Sequence, residues 1–333
     1  MPPKRTRQGS GDLSHPMVYN ALKEKSMERM LGVKVYNSSF CTDRYLDSLQ
    51  QVGFNTVFLG RGALSQTVAE NLNRRGLFWN IVEPVFLVTE DEQCALATQI
   101  NGSPAEDDWV RFACPTDSEH LEHVRKRIES DILQFNPPGV SLDFLRFFQF
   151  WEMTDPLAEP RNLARTCYCE RCKKQAKSFI SESLWRQGLV TGTAIELSSL
   201  AKSFKENLRI GIHAVPWTRT LFDGAREEVI GQSFSSLSEV ADYLTPMAYH
   251  HMMHMQTSYI KELISDMTDE GCKHIVPSIQ SKEAYRTDAM SASEFKEALD
   301  FALQSPSEGV LIYKWEDLCQ DKERLEIVKE ALS

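Results

Sequence analysis

The chain has 333 residues, a formal net charge of −10, 42% hydrophobic residues and 25% charged residues. These values are ordinary for a globular protein, and the acidic balance argues against nucleic acid or an anionic membrane as the main partner. No apolar run approaches the roughly 20 residues that a membrane-spanning helix needs. The length suits two average domains or one large α/β barrel.

The N-terminal stretch MPPKRTRQGSGDLSHP is basic and polar, and no apolar stretch follows it, so we expect no secretory signal. We predict a disordered basic tail over residues 1–18 and one barrel domain over residues 19–333. Eight cysteines are spread over the chain. Without a secretory signal, dispersed cysteines are typical of reduced thiols in a cytoplasmic protein.

Short β-branched runs alternate with longer amphipathic stretches along the chain. The predicted strands cover residues 31–37, 54–60, 80–88, 139–145, 208–215, 241–249, 273–280 and 309–315. The predicted helices cover residues 42–52, 63–75, about 116–135, 170–186, 194–207, 223–234, about 256–270, 292–304 and 316–332. Capping-box spacing marks two helix starts, at Thr116 with Glu119 and at Ser291 with Glu294.

The two helices at 170–186 and 194–207 fall between the same two strands, so eight strands alternate with eight helical regions, and this strict alternation predicts a parallel sheet. Eight such units in about 300 residues are the count of a closed (β/α)8 TIM barrel. The predicted barrel has extended loops after strands 3 and 4. A doubly wound open sheet is the alternative, and the absence of G-x-G-x-x-G after the first strand weakens its dinucleotide-binding version.

A C-x-C-x-x-C cluster follows predicted strand 4, with its thiols at Cys167, Cys169 and Cys172. Three thiolates can reach one ion, and a closed structural zinc site needs a fourth ligand. Cys114, between predicted strand 3 and helix 3, is the preferred fourth ligand because the two loops are neighbours on the C-terminal face of a barrel. His120 and His123 are the substitutes, and three unligated thiols are the alternative to a metal site.

Predicted strand 4 carries the first candidate for catalysis. Period-2 alternation in GVSLDFL places Ser141 and Asp143 on one side of the strand. A charged side chain at the end of a buried strand is costly unless it faces a site or a partner. At the C-terminal end of a barrel strand it indicates an active-site residue. A structural ion pair between Asp143 and Arg146 is the alternative.

Hydrolysis of a glycoside normally needs two carboxyl groups. We rank Glu152, in the loop after predicted strand 4, first as the partner of Asp143, and Glu316, after predicted strand 8, second. Glu83 and Glu283 are weaker candidates. An acetamido sugar that supplies its own nucleophile would make a second carboxyl group unnecessary.

Aromatic and polar side chains at the predicted strand ends suit a sugar pocket, because flat rings stack on the apolar face of a pyranose. The substrate-binding candidates are Arg146, Trp151, His213, Trp217, Tyr249, His250, Gln280 and Trp315. Trp315 is the preferred platform, and Arg146 would orient Asp143. Ordinary core packing is the alternative for each ring. Two other enzyme classes are weaker: a catalytic metal on His213 and His250, and an aldolase with a Schiff base on Lys314.

Two family resemblances enter here. CPTDSEHLEHVRKRI, followed 53 residues after Cys114 by CYCERCKKQAKSF, resembles the zinc loop of the glycoside hydrolase family 42 β-galactosidases. The resemblance implies that Cys114 and the three clustered cysteines bind a structural zinc ion beside the active site. Those enzymes end strand 4 in Asn-Glu and supply a nucleophilic Glu from strand 7. This chain has Leu-Asp-Phe at 142–144 and Ser-Ile-Gln at 278–280 instead.

GVSLDFLRF, together with LTPMAYHHM at predicted strand 6, resembles glycosyl-hydrolase-like barrels related to the poly-N-acetylglucosamine hydrolases. This resemblance implies that Asp143 is the catalytic carboxylate and Tyr249 a pocket residue. The preferred interpretation is a glycoside hydrolase that acts on a carbohydrate through Asp143. The alternative is a non-catalytic barrel that binds a glycan or a protein. A second carboxyl group about 5–10 Å from Asp143 would favour the hydrolase.

Overall fold

The computed structural model describes residues 29–88 and 94–333, and the predicted tail over residues 1–18 lies outside them. Eight parallel strands form the sheet: β1 Met30–Val35, β2 Thr56–Leu59, β3 Phe78–Pro84, β4 Gly139–Asp143, β5 Arg209–Ala214, β6 Tyr243–Pro246, β7 Ser278–Gln280 and β8 Gly309–Tyr313. Their order is β6-β5-β4-β3-β2-β1-β8-β7. Single parallel bridges, Leu244 to Ile275 and Met247 to Ser278, join the β6 and β7 ends of the sheet. The predicted (β/α)8 barrel is confirmed.

The helices of the described residues surround this ring. They are α1 Asp43–Val52, α2 Gln66–Arg74, α3 Ser118–Phe135, α4 Glu170–Ala176, α5 Glu182–Phe204, α6 Ala225–Glu228, α7 Phe234–Ser238, α8 Tyr259–Asp269, α9 Ala292–Ala302, α10 Trp315–Leu318 and α11 Lys322–Leu332. None of these helices combines the length and the apolar character that crossing a bilayer requires. The cap predicted at Ser291 is present at the start of α9, where the Ser291 hydroxyl accepts a hydrogen bond from Glu294 N.

Some predicted helix boundaries were wrong, each for a local reason. The helix predicted from Thr116 begins at Ser118, with Asp117 as its cap. Thr116 instead contacts the cysteine cluster, because its hydroxyl lies 3.2 Å from Cys172 Sγ. The sequence predicts helices at 170–186 and 194–207, but the first helix, α4, ends at Ala176. A new helix of 23 residues, α5, begins after the cap residue Ser181 and covers the rest of both predicted regions up to Phe204. The helix predicted at 223–234 is reduced to the short α6.

The barrel interior and the strand–helix layer form two separate cores. The interior cluster is made of Met30, Phe58, Val82, Tyr243, Val276 and Leu311. Tyr243 passes over Gly211 of β5, where an added Cβ would lie 2.4 Å from its ring. The Tyr243 hydroxyl donates to Asn80 Oδ1 at 2.7 Å. The interior below the C-terminal mouth is therefore filled, and open space begins only near the strand ends.

Two long connections rise from the C-terminal ends of neighbouring strands, as predicted. The connection from β3 to α3 contains a small hairpin of Glu106–Asp107 and Val110–Arg111. The connection from β4 to α4 contains two single 3-10 turns, Trp151–Met153 and Pro160–Asn162. Both connections lie on the face where barrel enzymes carry their active sites.

Candidate active site

A cavity of about 380 Å³ opens at the carboxyl ends of the strands. Its size is at the lower end of the range of about 300–1,000 Å³ for ligand pockets. The lining combines carboxyl groups, basic groups and aromatic rings: Asp143, Glu152, Lys34, Arg61, Tyr36, Trp109, Tyr249, Tyr285 and Tyr313. Polar groups of both charges among flat rings are what recognition of a polyhydroxylated ligand requires.

Asp143 is the last residue of β4 and lies in the cavity wall, with only 7% of its surface exposed. Its Oδ1 accepts a hydrogen bond from the backbone N–H of Phe144 at 2.7 Å. Phe144 has a φ of 51°, so the chain turns sharply away from the strand immediately after Asp143. The carboxyl group is thereby oriented by its own backbone at the rim of the barrel.

Glu152 reaches the same cavity from the 3-10 turn Trp151–Met153 in the loop after β4. It is buried, and its Oε2 has no hydrogen-bond partner in the described part of the chain. Burial raises the pKa of Glu152 to about 7, although the Arg146 charge opposes the shift and the Asp143 charge adds to it. A carboxylic acid with this pKa carries a proton for much of the time at neutral pH.

Arg146 stabilises the loop that follows Asp143 and carries Glu152. Its guanidinium donates to the backbone carbonyls of Phe147 at 3.2 Å and of Gln149 at 2.7 Å. The guanidinium also lies over the rings of Phe112 and Phe144, 4.9 Å and 5.5 Å from their centroids. Its charge acts on the carboxyl groups through space, while its hydrogen bonds maintain the loop.

Lys34 of β1 is a site residue that the sequence analysis missed. It is buried, it lines the cavity, and its Nζ lies 3.0 Å from His213 Nδ1 and 3.1 Å from the Tyr249 hydroxyl. The Tyr249 hydroxyl in turn lies 3.0 Å from Ser278 Oγ. Burial lowers the pKa of Lys34 to about 8, and the charge of Asp143 opposes this shift. The signal was a lysine in the apolar strand LGVKVYN, the same kind of signal that singled out Asp143.

A network of charged groups also supports the cavity from the side of β2 and β3. Arg61 lies in the cavity wall and donates to Glu83 at 2.7 Å and to Asp131 at 2.8 Å. Arg127 donates to the other oxygen of Glu83. Glu83, a weaker candidate for the second carboxyl group, is therefore held by two guanidinium groups. Burial raises its pKa and the charges of Arg127 and Arg61 oppose the shift.

The other carboxyl candidate, Glu316, lies in the first turn of α10 and accepts hydrogen bonds from backbone N–H groups at the end of β1. Its Oε1 accepts hydrogen bonds from the N–H groups of Tyr36 at 2.6 Å and Asn37 at 2.8 Å. Tyr36 lines the cavity and Glu316 does not. The structure thus places Glu316 behind the cavity wall, where it shapes the end of β1.

The predicted aromatic platforms occupy different places. Trp315 is fully buried against Phe54, and Trp217 is fully buried against Phe222. Trp151 lies behind the cavity, 6.1 Å from the Tyr249 ring. These three tryptophans thus pack in the core, and the aromatic residues that line the cavity are Tyr36, Trp109, Phe144, Tyr249, Tyr285 and Tyr313.

The remaining predicted polar residues hold loops. Gln280 accepts from Met252 N and donates to Lys282 O. His250 Nε2 lies 3.0 Å from Glu294 Oε1, whereas His213 contacts Lys34. The one cluster of the described residues that could hold a metal ion contains neither histidine. Asp143, Glu152 and Tyr249 are therefore the predicted residues that the fold brings together in the cavity.

The four cysteines converge on one point, as predicted. Cys114 Sγ lies 3.7 Å from Cys167 Sγ, 3.7 Å from Cys169 Sγ and 3.5 Å from Cys172 Sγ. All four sulfurs lie within 4.8 Å of one another. Four sulfurs about 2.3 Å from one zinc ion in a tetrahedron would be about 3.8 Å apart. The arrangement can hold a metal ion, and it has the spacing of a closed thiolate site.

Groups around the cysteines favour one thiolate, that of Cys114, whereas hydrogen bonding to Cys114 raises the pKa of Cys167 and Cys172. Cys167 Sγ accepts from Thr98 N at 3.4 Å, and Cys169 Sγ accepts from Cys172 N at 3.5 Å. The guanidinium of Arg171 lies 3.6 Å from Cys114 Sγ. The thiol groups of Cys167 and Cys172 lower the pKa of Cys114 by hydrogen bonding. Such outer contacts orient metal ligands and stabilise their charge.

No protein-family model matches this chain, and no curated protein matches it. Solved structures do match. The glycoside hydrolase domain of PgaB (BpsB) from Bordetella bronchiseptica has a TM-score of 0.72 and 11% identity, with 91% of this chain and 99% of that chain covered. The β-galactosidase from Halorubrum lacusprofundi has a TM-score of 0.65 and 11% identity, with coverages of 91% and 57%. The family 42 β-galactosidase Gan42B from G. stearothermophilus has a TM-score of 0.65 and 12% identity, with coverages of 92% and 56%.

These comparisons establish the fold. The chain shares the (β/α)8 barrel fold of these glycoside hydrolases, which is the fold that both sequence resemblances imply. It spans the whole PgaB domain, but only a little more than half of each of these two β-galactosidase chains. At this level of identity the similarity carries no residue roles, so the chemistry has to be argued from the site itself.

Proposed function

We propose that this chain is a glycoside hydrolase in which Glu152 is the general acid and Asp143 is the second carboxyl group. The observation that carries the proposal is that both carboxyl groups line one cavity at the C-terminal mouth of a barrel. The charge of Asp143 acts on the pKa of Glu152, so the two groups are near enough to interact. Two carboxyl groups in different surroundings are what acid-assisted cleavage of a glycosidic bond needs.

Glu152 suits the role of acid. It is buried, its Oε2 has no partner among the described residues, and its pKa is raised to about 7 by burial. A general acid works best when its pKa lies near the working pH, because it is then protonated and still a good donor. Glu152 would donate its proton to the oxygen of the leaving group as the glycosidic bond breaks.

Asp143 suits the role of the second carboxyl group. Its Oδ1 accepts a hydrogen bond from the N–H of Phe144, which orients the group, and the cationic side chain of Lys34 interacts with it electrostatically. Asp143 would act as the nucleophile or as the base that activates water, opposite to the acid.

A carbohydrate is the substrate class that the cavity lining supports. Tyr249 and Tyr313 face each other at 5.3 Å between centroids, and Tyr36 stands 5.9 Å from Tyr313. Rings of this kind offer flat apolar surfaces to a pyranose while their hydroxyl groups bind its oxygens. The solved neighbours are also named as a glycoside hydrolase domain and as β-galactosidases.

For the metal site we propose a structural zinc ion on Cys114, Cys167, Cys169 and Cys172. Four thiolates leave no open coordination position, so the ion would supply stability and no chemistry. It would connect the loop that carries Trp109 to the loop that carries Glu152. A cytoplasmic location stays a prediction, and it would keep the four thiols reduced.

A hydrolysis screen with aryl glycosides and natural oligosaccharides tests the proposal, with wild type compared with Asp143→Asn and Glu152→Gln. We expect turnover of one sugar class by wild type and its loss in both variants. Glu283→Gln serves as the control carboxyl change, because Glu283 accepts a hydrogen bond from Met290 N and does not line the cavity. Full turnover in Asp143→Asn would remove Asp143 from catalysis. Wild-type protein that carries zinc and binds glycans on an array without hydrolysing any probe would favour the non-catalytic barrel instead.

A further inference from the structure

Trp109 projects over the cavity from the loop that follows β3. It stands beside Asp108 at the tip of the hairpin Glu106–Asp107 and Val110–Arg111, and Asp108 has a φ of 49°. The indole packs edge-on against Phe144 and Phe150, with centroid distances of 6.2 Å and 6.1 Å. It lines the cavity on one side, and 45% of its surface is exposed.

Tyr285 meets this group from the loop that follows β7. Its ring lies 5.6 Å from the Phe150 ring and edge-on to it, and Tyr285 also lines the cavity. Burial raises the pKa of Tyr285 to about 12, and the Glu152 charge adds to the rise. We call Trp109, Phe150 and Tyr285 the aromatic bridge, because the Phe150 ring contacts both of the other rings.

The aromatic bridge crosses the mouth from one side to the other. In the ring of eight strands, β3 and β7 are four positions apart in either direction, so they stand opposite each other. Trp109 follows the first of these strands and Tyr285 the second, and Phe150 of the β4 loop lies between them. The three rings therefore connect loops from opposite sides of the barrel, and Trp109 and Tyr285 line the same cavity as Asp143 and Glu152.

On the basis of the proposed function, we propose that the aromatic bridge restricts the site to the terminal unit of a glycan. The ligand inserts end-on beneath Trp109 and Tyr285, and cleavage is exo-acting. An internal segment of a polysaccharide has to lie across an open groove, and a bridge over the mouth blocks that path. A cavity of about 380 Å³ also fits a small terminal unit better than a polymer segment.

The test uses pentasaccharides whose ends are blocked chemically. Chitopentaose, cellopentaose and β-1,4-galactopentaose are prepared with free ends, with a 4,6-O-benzylidene group on the non-reducing end, with 2-aminobenzamide on the reducing end, or with both. Wild type, Trp109→Ala and Tyr285→Ala are assayed for products by chromatography and for binding by calorimetry. Phe179→Ala is the matched control, since that ring is 47% exposed and does not line the cavity.

For wild type we expect turnover of a doubly blocked chain to be lower than that of the free chain by about tenfold or more. The first product should be a chain shortened at one end. Trp109→Ala and Tyr285→Ala should cut the doubly blocked chain internally, and Phe179→Ala should behave as wild type. Because Trp109 and Tyr285 are partly exposed, their loss should leave the barrel core folded.

The possible outcomes distinguish the proposal of end-on insertion from the proposal that the protein is a glycoside hydrolase. Internal cuts by wild type at the earliest times would overturn end-on insertion and leave the hydrolase proposal standing. Binding of free-ended chains without hydrolysis, and rejection of doubly blocked ones, would overturn the hydrolase proposal and support end-on insertion. Equal affinity of wild type for free and doubly blocked chains would overturn end-on insertion whether or not hydrolysis occurs.

Discussion

The Nζ atom of Lys34 lies 3.0 Å from Nδ1 of His213 inside the barrel. Burial lowers the pKa of Lys34 to about 8 and that of His213 to about 3, and the Lys34 charge lowers the pKa of His213 further. His213 is thus neutral at physiological pH and accepts a hydrogen bond from the lysine. Lys34 is the cation of this pair, and it holds its charge next to Asp143.

Replacing Lys34 by Met should reduce hydrolysis by about 10²-fold or more, because a preorganised charge beside Asp143 would be lost. In wild type, raising the pH through about 8 removes the same charge, so that activity should fall there even on substrates that need no acid. Kinetics from pH 5 to 9 measures both effects. Lys296→Met, at an exposed position on α9, is the control, and an unchanged rate in Lys34→Met would refute the role.

Replacing Glu152 by Gln should cost about 10²–10⁴-fold in turnover of glycosides with poor leaving groups. Glycosyl fluorides and dinitrophenyl glycosides should be affected far less, because their leaving groups need no proton. Wild-type activity should fall as the pH rises through about 7, the pKa of Glu152, and this limb should vanish in the variant. Equal losses on both classes of substrate would show that Glu152 is not the acid.

The raised pKa of Glu152 also has a consequence for stability. Between its ordinary pKa of 4.5 and the folded value of about 7, the folded state holds a proton that the unfolded state has lost. The free energy of unfolding should therefore decrease as the pH rises through this window. Glu152→Gln does not titrate, so its stability relative to wild type should rise by on the order of 1–3 kcal/mol from pH 4.5 to 7. Denaturant unfolding at several pH values measures this, and a flat difference would contradict the burial of an ionisable group.

Removing one metal ligand should destabilise the whole C-terminal face. Cys114→Ser is expected to lose bound zinc, lower the melting temperature and reduce hydrolysis, because the loops that carry Trp109 and Glu152 would no longer be joined. Metal analysis, thermal unfolding and kinetics should change together. Cys319→Ser, at a thiol outside the cluster, should retain the metal. Zinc content equal to wild type in Cys114→Ser would exclude the four-cysteine site.

Two substitutions of Glu316 can distinguish a structural role of its carboxyl group from a catalytic role. Glu316→Gln keeps an oxygen that can accept from the N–H groups of Tyr36 and Asn37, so it should retain most activity. Glu316→Ala leaves those donors unpaired and should cost about 1–3 kcal/mol in the free energy of unfolding. Denaturant unfolding and kinetics of the two variants distinguish the roles. Loss of turnover in Glu316→Gln at unchanged stability would make Glu316 a catalytic residue.

Features that depend on spacing along the chain were accessible from the sequence. The alternation of strands and helices predicted the closed barrel, since each short parallel strand must be followed by a crossover that returns along the outside. The cysteine cluster and Cys114 were identified together because they follow neighbouring strands. The position of Asp143 followed from the period of β4, because successive side chains of a strand face opposite sides.

Other features depended on where an element ends. The sequence pattern predicts Trp315 as the ring facing the lumen, but β8 ends at Tyr313 and α10 begins at Trp315. The turn between them carries Trp315 into the layer between strands and helices, where it packs on Phe54, and leaves Tyr313 in the cavity wall. A shift of this size lies within the uncertainty of any boundary that is set by local pattern alone.

By itself, the sequence determined the barrel, the meeting of four thiols and the place of Asp143, because these follow from periodicity and from the rule that neighbouring strands have neighbouring loops. Only the tertiary structure decided that Lys34 lies beside His213, that Glu152 is buried in the same cavity as Asp143, and that Phe150 contacts both Trp109 and Tyr285. The physical reason is that closure of the barrel brings together residues far apart in the chain. Their contacts depend on loop paths and burial, which no local repeat in the sequence encodes.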